Sequence, residues 1–164
     1  MNTLYQLTRR MISYEKGNPK RIQHFLKVHS FAKMIGENEN LGDAALYTLE
    51  ITALVHDIGI RPSEEKYGRC DGKLQEKEGP APARKMLSDL HIAPDVIDRV
   101  CYLVAHHHTY EPVEGVDYRI LLEADALVNL YEDRSPDDAV RAMLRNVFRT
   151  KTGTDICKEM FGIE

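Results

Sequence analysis

Ala53-Leu54-Val55-His56-Asp57-Ile58-Gly59-Ile60 sets a histidine and an aspartate side by side in a segment otherwise fit for a protein core. Ile120-Leu121-Leu122-Glu123-Ala124-Asp125-Ala126-Leu127-Val128 repeats the anomaly, with Asp125 flanked by alanines small enough for close helix approach. Taking an ionised carboxylate out of water without a partner is costly even after the surroundings relax. Two such aspartates need compensation from basic side chains, backbone donors or a metal cation. The His-Asp doublet by itself is explained as well by a hydrogen-bonded pair at a helix end, so the rest of the chain has to decide.

Outward from these two segments, apolar residues recur at intervals of three and four. Val28, Phe31, Ala32 and Ile35 form one such series, and Val96, Ile97, Val100 and Val104 another. Asn18-Pro19, Gly79-Pro80 and Ser135-Pro136 each place a candidate cap next to a proline at a helix start. The spacing predicts helices over 3–14, 19–37, 43–58, 80–90, 94–108, 118–131, 136–148 and 154–161. Period-two strands bounded by hairpin turns are missing from the sequence pattern. Residues 61–79, RPSEEKYGRCDGKLQEKEG, read as one long polar connection. A connection beyond about 12–15 residues in a compact domain is usually functional or disordered. The expectation is an all-α single domain over 1–164.

Composition narrows the function classes. The 164 residues are 43% apolar and 29% charged, with 22 basic and 26 acidic residues giving a formal net charge of −4. That balance argues against a protein held to a nucleic-acid polymer or an anionic membrane by bulk positive charge. No apolar run approaches the roughly 20 residues of a membrane span, and the N-terminal stretch shows no secretory pattern. The three cysteines, Cys70, Cys101 and Cys157, are widely spaced and odd in number, which favours neither a disulfide framework nor a thiolate zinc site. A cytoplasmic location is the expectation. No GxxxxGK[ST] loop supports ATP-driven phosphoryl transfer.

Seven histidines remain to be placed. On a helical wheel His24 falls with Val28, Phe31 and Ile35, while His29 falls with Ile22 and Phe25, and the apolar arc is wide enough for both. In 94–108, His107 shares the centre of the apolar face with Val96, Val100 and Val104. His108 sits at its edge and His106 points away. A single inward histidine is more often a satisfied core residue than a ligand. Inward histidines on three helices, together with two buried aspartates, point to a divalent cation of the Fe, Mn or Zn kind.

Arg21-Ile22-Gln23-His24, Leu54-Val55-His56-Asp57-Ile58-Gly59 and Glu123-Ala124-Asp125-Ala126-Leu127 together resemble the HD-domain metal-dependent phosphohydrolase superfamily. The resemblance covers about 20–130 and implies a helical HD-type domain of about seven to eight helices. It implies that His24, His56, Asp57 and Asp125 ligate one metal, leaving His29 as a core residue or an outer partner. Members with two metals are similar further on, where His106-His107-His108 supplies one element and His107 is favoured. The other element departs from the pattern, because Gln75 stands where a histidine is expected. Glu78 or Glu76 is the substitute ligand if a second ion binds. The lysine that often follows His-Asp-x-Gly is Ile60 here, with Arg61 one position later.

The resemblance implies hydrolysis of a phosphate ester of a small metabolite or nucleotide by metal-activated water, with one or two divalent ions per chain. Asp57 would bind the metal and orient the water or bridge a second ion. Arg61 and Lys73 are the cations expected to face the substrate phosphate, and Tyr67–Gly72 would let the 61–79 segment close over it. Two other readings belong to the same residues: a di-iron oxygenase on the same scaffold, and a non-catalytic metal- or nucleotide-binding regulatory module.

Overall fold

Residues 2–164 are described in this computed structural model, and every regular element among them is an α-helix. In chain order these are α1 (Thr3–Tyr14), α2 (Pro19–Asn38), α3 (Asp43–Val55), α4 (Ile60–Tyr67), α5 (Gly72–Glu78), α6 (Pro80–Ser88), α7 (Pro94–Val104), α8 (Val116–Glu132), α9 (Asp137–Asn146) and α10 (Lys151–Phe161). All eight helices expected from the apolar spacing are present. The cap signals hold at several starts. Asn18 accepts from the Arg21 N–H ahead of Pro19, and Thr150 accepts from the Gly153 N–H.

Two helices organise the interior. Every residue of α3 from Thr48 to Val55 is buried, and so is every residue of α8 from Asp117 to Val128 except Arg119. A helix buried all round has no outward polar stripe, which is why both read as nearly continuous apolar runs. Leu49 and Ala53 of α3 join Val28 and Ile35 of α2 and much of α8 in one core cluster. Ile51, Leu54 and Val55 face the other way, into a cluster with Leu7 and Met11 of α1, Ala83 and Leu87 of α6, and Val100 and Val104 of α7. The helix that delivers the His-Asp doublet is therefore fixed from both sides. Truncating Leu54 to alanine there costs about 2–5 kcal/mol.

The segment 61–79 is not an extended loop. It holds α4 and α5, joined through Gly68 in the left-handed region (φ 66°) and restarted by Asp71, whose carboxylate accepts from the Leu74 N–H at 3.0 Å. No apolar stripe marked these helices because they cover little core. Ser63 is the one buried residue of α4 and Glu78 the one of α5. Two expected helix ends also move inward by three residues or more, α3 from 58 to Val55 and α7 from 108 to Val104. Both are followed by tighter turns, with Ile58 N–H bonding Val55 O at 2.9 Å and His106 N–H bonding Leu103 O at 3.1 Å.

Gly59 explains how α5 comes against the doublet. A Cβ there would lie 2.6 Å from the Gln75 carbonyl oxygen and 2.8 Å from the Gly79 nitrogen. Only glycine admits the backbone of the α5–α6 junction at that distance.

Candidate metal centre

Four side chains from three parts of the chain meet at one point. His24 comes from the first half of α2, His56 and Asp57 from the turn that ends α3, and Asp125 from the middle of α8. His24 Nε2 lies 3.2 Å from His56 Nε2, 3.2 Å from Asp57 Oδ2 and 3.2 Å from Asp125 Oδ1. His56 Nε2 lies 3.4 Å from Asp57 Oδ2 and 3.5 Å from Asp125 Oδ1. A cation bound at about 2.1 Å holds neighbouring donors roughly 3.0 Å apart in an octahedron and about 3.4 Å apart in a tetrahedron. The observed separations, from 3.2 to 3.5 Å, lie close to those spacings, so these donors would fit a cation.

The proton positions follow from the outer partners. His56 Nδ1 is 2.8 Å from the Ala53 carbonyl, and His107 Nδ1 is 2.8 Å from the Val104 carbonyl. A carbonyl oxygen only accepts, so each Nδ1 carries hydrogen and donates. His24 Nδ1 donates in the same way to Glu132 Oε1 at 3.2 Å, and Lys27 Nζ holds that oxygen at 3.0 Å. In their neutral forms all three imidazoles thus turn an Nε2 lone pair inward. Such outer hydrogen bonds fix the tautomer and ring direction of metal-binding histidines.

Asp125 supplies the test of whether a cation fits. Its Oδ1 is buried and has no hydrogen-bond partner among the described residues. A buried carboxylate oxygen left unpaired is costly, and a divalent ion at the centre of the four donors removes the cost. Without an ion, protons carry the positive charge instead. Burial works against charging His24, but the carboxylates of Asp125 and Asp57, each 3.2 Å from its Nε2, outweigh it and raise its pKa to about 9. His56 is buried as well and is raised by Asp57 and Asp125, while both carboxyls are held well below the usual range by the imidazoles, against the effect of burial. The site favours positive charge.

Asp57 reaches in two directions. Its Oδ1 lies 3.3 Å from His107 Nε2, and His108 follows directly, so Asp57, His107 and His108 form a second group with metal-binding atoms close together. The His108 Nε2 is 2.9 Å from Gln75 Oε1. Burial, followed by the neighbouring His107, lowers the His108 pKa to about 4, which keeps the ring neutral.

Other expected positions stand elsewhere. Glu78 accepts from Tyr67 Oη at 2.9 Å and pairs with Lys66, so its carboxylate belongs to the α4–α5 contact rather than to a metal. Glu76 Oε1 takes the His108 N–H at 3.1 Å and the Thr109 hydroxyl at 2.7 Å. Arg61 does not face the cluster, because its guanidinium donates to the Tyr14 carbonyl at 2.6 Å and to Glu65 at 3.0 Å, over the Tyr14 ring. Lys73 is 83% exposed and pairs with Glu76. Lys20 and Arg21 of α2 line, with His24, Asp57 and Asp125, a cavity of about 360 Å³. The Arg21 guanidinium is held by Glu64 at 2.5 Å and Glu15 at 3.5 Å, which leaves Lys20 as the cation without an ion pair among the described residues. His29, left between core and outer roles, is bound to Glu50 at 3.0 Å.

Glu132 and Asn129 are site residues that the sequence reading did not single out. They lie seven and four positions after Asp125, and that helical spacing was the available signal.

A family model for the HD domain matches residues 21–145, from the arginine before His24 to the end of α9. No curated protein matches the chain. Among solved structures, a predicted HD superfamily hydrolase from an uncultured Thermotogales bacterium is similar in backbone, with a TM-score of 0.65 and 23% identity. The likeness covers 97% of this chain and 83% of that one.

Proposed function

Because the chain belongs to the HD domain family, we propose that it is a metal-dependent phosphohydrolase acting on the phosphate ester of a small metabolite or nucleotide. The observation that carries this reading is the buried, unpartnered Asp125 Oδ1 facing the inward Nε2 atoms of His24 and His56. His24, His56, Asp57 and Asp125 would hold a divalent transition metal such as Fe, Mn or Zn. When bound, such an ion supplies a hydroxide equivalent near neutral pH and polarises a phosphoryl oxygen. The similar solved structure is described as a predicted hydrolase, which agrees with this chemistry.

The chain's own residues do the rest. Glu132, Ala53 O and Val104 O keep the rings of His24, His56 and His107 in one tautomer and one direction. Asp57 directs one oxygen to His24 and His56 and the other to His107, so it can hold an attacking water between the two groups. Lys20, which makes no ion pair among the described residues, lines the same cavity and would meet the negative charge of a phosphate there. Hydrolysis forms a phosphorus–oxygen bond from water and breaks the ester bond, with a proton passing to the departing alkoxide. Asp57, His107 and His108 would hold a second ion if one binds, with one carboxylate against the two of the first group, and Gln75 occupies His108 Nε2.

The test combines metal stoichiometry with turnover. Metal-loaded protein is expected to hydrolyse a simple phosphate monoester such as p-nitrophenyl phosphate, and chelator treatment is expected to abolish the rate. Absence of turnover with Mn²⁺, Fe²⁺, Co²⁺ and Zn²⁺ would overturn the hydrolase reading in favour of a binding module. Two irons per chain with oxygen consumption would favour the oxygenase.

A further inference from the structure

The cavity over the metal centre is built in layers, and each layer is set by a helical repeat. Asn129 follows Asp125 by four residues on α8, and Lys20 precedes His24 by four on α2. Four residues of helix rise about 6 Å. One turn out from the cluster, the walls are therefore formed by Lys20 and Asn129, with Gln75 also in the lining. A further step along α8 brings Asp133, and the rim opposite is Asn18. Among the described residues Lys20 makes no ion pair, and the Asn129 side chain makes no hydrogen bond although it is half-buried.

This lining has a chemical bias. Carboxamides and a carboxylate offer both donors and acceptors, which suit hydroxyl groups. Ile60 is the aliphatic member, and among the described residues no Phe, Tyr or Trp lines the cavity. Tyr131, one residue from Glu132, is 62% exposed and has Lys27 over its ring at 5.3 Å. A nucleobase held by a protein normally gains from an aromatic or apolar face. At about 360 Å³ the cavity is also at the small end for a ligand pocket.

Resting on the phosphohydrolase reading above, we propose that the cavity takes the phosphate monoester of a small polyhydroxylated alcohol, a sugar or polyol phosphate, in preference to a nucleotide. The phosphate lies at the metal centre beside Lys20. The carbon chain then runs past Asn129 and Gln75, whose carboxamides meet its hydroxyls. A base on the same sugar would reach only toward Asn18 and Asp133, and among the described residues no aromatic ring belongs to the cavity lining there.

Ribose 5-phosphate, adenosine 5′-monophosphate and n-pentyl phosphate form the test set, because they share a primary phosphate ester and differ in base and hydroxyls. The metal-loaded chain is assayed for kcat/KM on each, and binding is measured by calorimetry. Ribose 5-phosphate is expected to exceed the nucleotide, and to exceed pentyl phosphate by at least about tenfold, because polar groups placed for hydroxyls are left unpaired by a ligand lacking them. A nucleotide turned over as well as or better than ribose 5-phosphate, or pentyl phosphate turned over as well as the sugar, overturns the proposal. If no ester is hydrolysed but ribose 5-phosphate binds more tightly than the other two, the hydrolase reading fails and the ligand class stands. If the metal-loaded chain binds none of the three, the ligand class fails as well.

Discussion

Glu123 and Asp125 sit two residues apart on α8, both buried, in environments of opposite kind. Glu123 Oε1 accepts the N–H groups of Arg149 at 2.6 Å and Thr150 at 2.9 Å, and Oε2 takes the Thr150 hydroxyl. Gly153 lets it in, since a Cβ there would stand 2.1 Å from Oε2. Asp125 has two imidazole nitrogens in front of it and an oxygen that nothing satisfies. One acid ties the start of α10 to the core through fixed donors. The other keeps its capacity for something that is not part of the chain. Burial of an acid is thus no sign of a metal site by itself; the difference lies in whether the protein has already supplied the partners.

The sharpest way to break this contrast is to remove each acid. Asp125→Ala is expected to weaken metal binding by well over about 100-fold, beyond the roughly 10–100-fold typical of losing an outer partner. In the metal-free chain it should cost stability below about pH 9, because protonated His24 loses the carboxylate that most raises its pKa. Glu123→Ala is expected to cost at least about 3 kcal/mol in urea unfolding, because two backbone N–H groups and a hydroxyl lose their acceptor. Its folded fraction should keep full metal content by elemental analysis. If the two variants exchanged these phenotypes, the roles assigned to the two acids would be reversed.

Acidity separates the regions next. The folded pKa of His24, about 9, lies above the ordinary 6.5, burial being outweighed by Asp125 and Asp57. A raised imidazole contributes stability that is fully present below pH 6.5 and is lost as pH rises through about 9. The metal-free chain should therefore unfold more easily at pH 9.5 than at pH 6. The loaded chain should behave in the opposite way, since a metal must displace those protons and binds more tightly as they leave. Thermal melts with chelator and with excess Mn²⁺, at both pH values, give the two trends. Parallel trends would mean that protons and metal do not share the site.

How much of this was legible in the sequence follows the same division. His24, His56, Asp57 and Asp125 stood out because polar groups interrupt apolar runs, and His107 because it falls at the centre of an apolar face. α4 and α5 left no such trace, since they bury one residue each and are held by caps and surface pairs. Glu132 was hidden in the last turn of α8, where an acid reads as solvated. Glu123 was written in the same motif as Asp125, and its partners come from a turn 26 and 27 residues later that no local pattern announces. Arg61 was read toward the substrate from its place after the doublet. Its direction depends on α4, a helix the spacing did not reveal.

Glu132 refines the contrast from the outside. Glu132→Gln removes the charged acceptor behind His24 Nδ1 and the partner of Lys27. Metal affinity is expected to fall by about 10–100-fold, less than for Asp125→Ala. A competition titration against a chelator dye reads the ratio directly. An effect as large as that of Asp125→Ala would place Glu132 among the ligands themselves.

The smallest effect is expected at Arg61, where sequence position and geometry disagree. Its side chain is 50% exposed, pairs with Glu65 one turn on along α4, and reaches back to the Tyr14 carbonyl at the end of α1. Those contacts brace α4 against α1 and keep the guanidinium away from the cavity over the metal. An exposed pair of this kind contributes little, so Arg61→Ala should change kcat/KM on a phosphate ester by less than about threefold. Lys20→Ala, in the same cavity as Asn129, should raise KM for the same ester several-fold, because its ammonium makes no ion pair among the described residues. Measuring both variants on one substrate decides which cation meets the phosphate. A large loss at Arg61 with none at Lys20 would show that α4 turns during turnover to bring its arginine over the site.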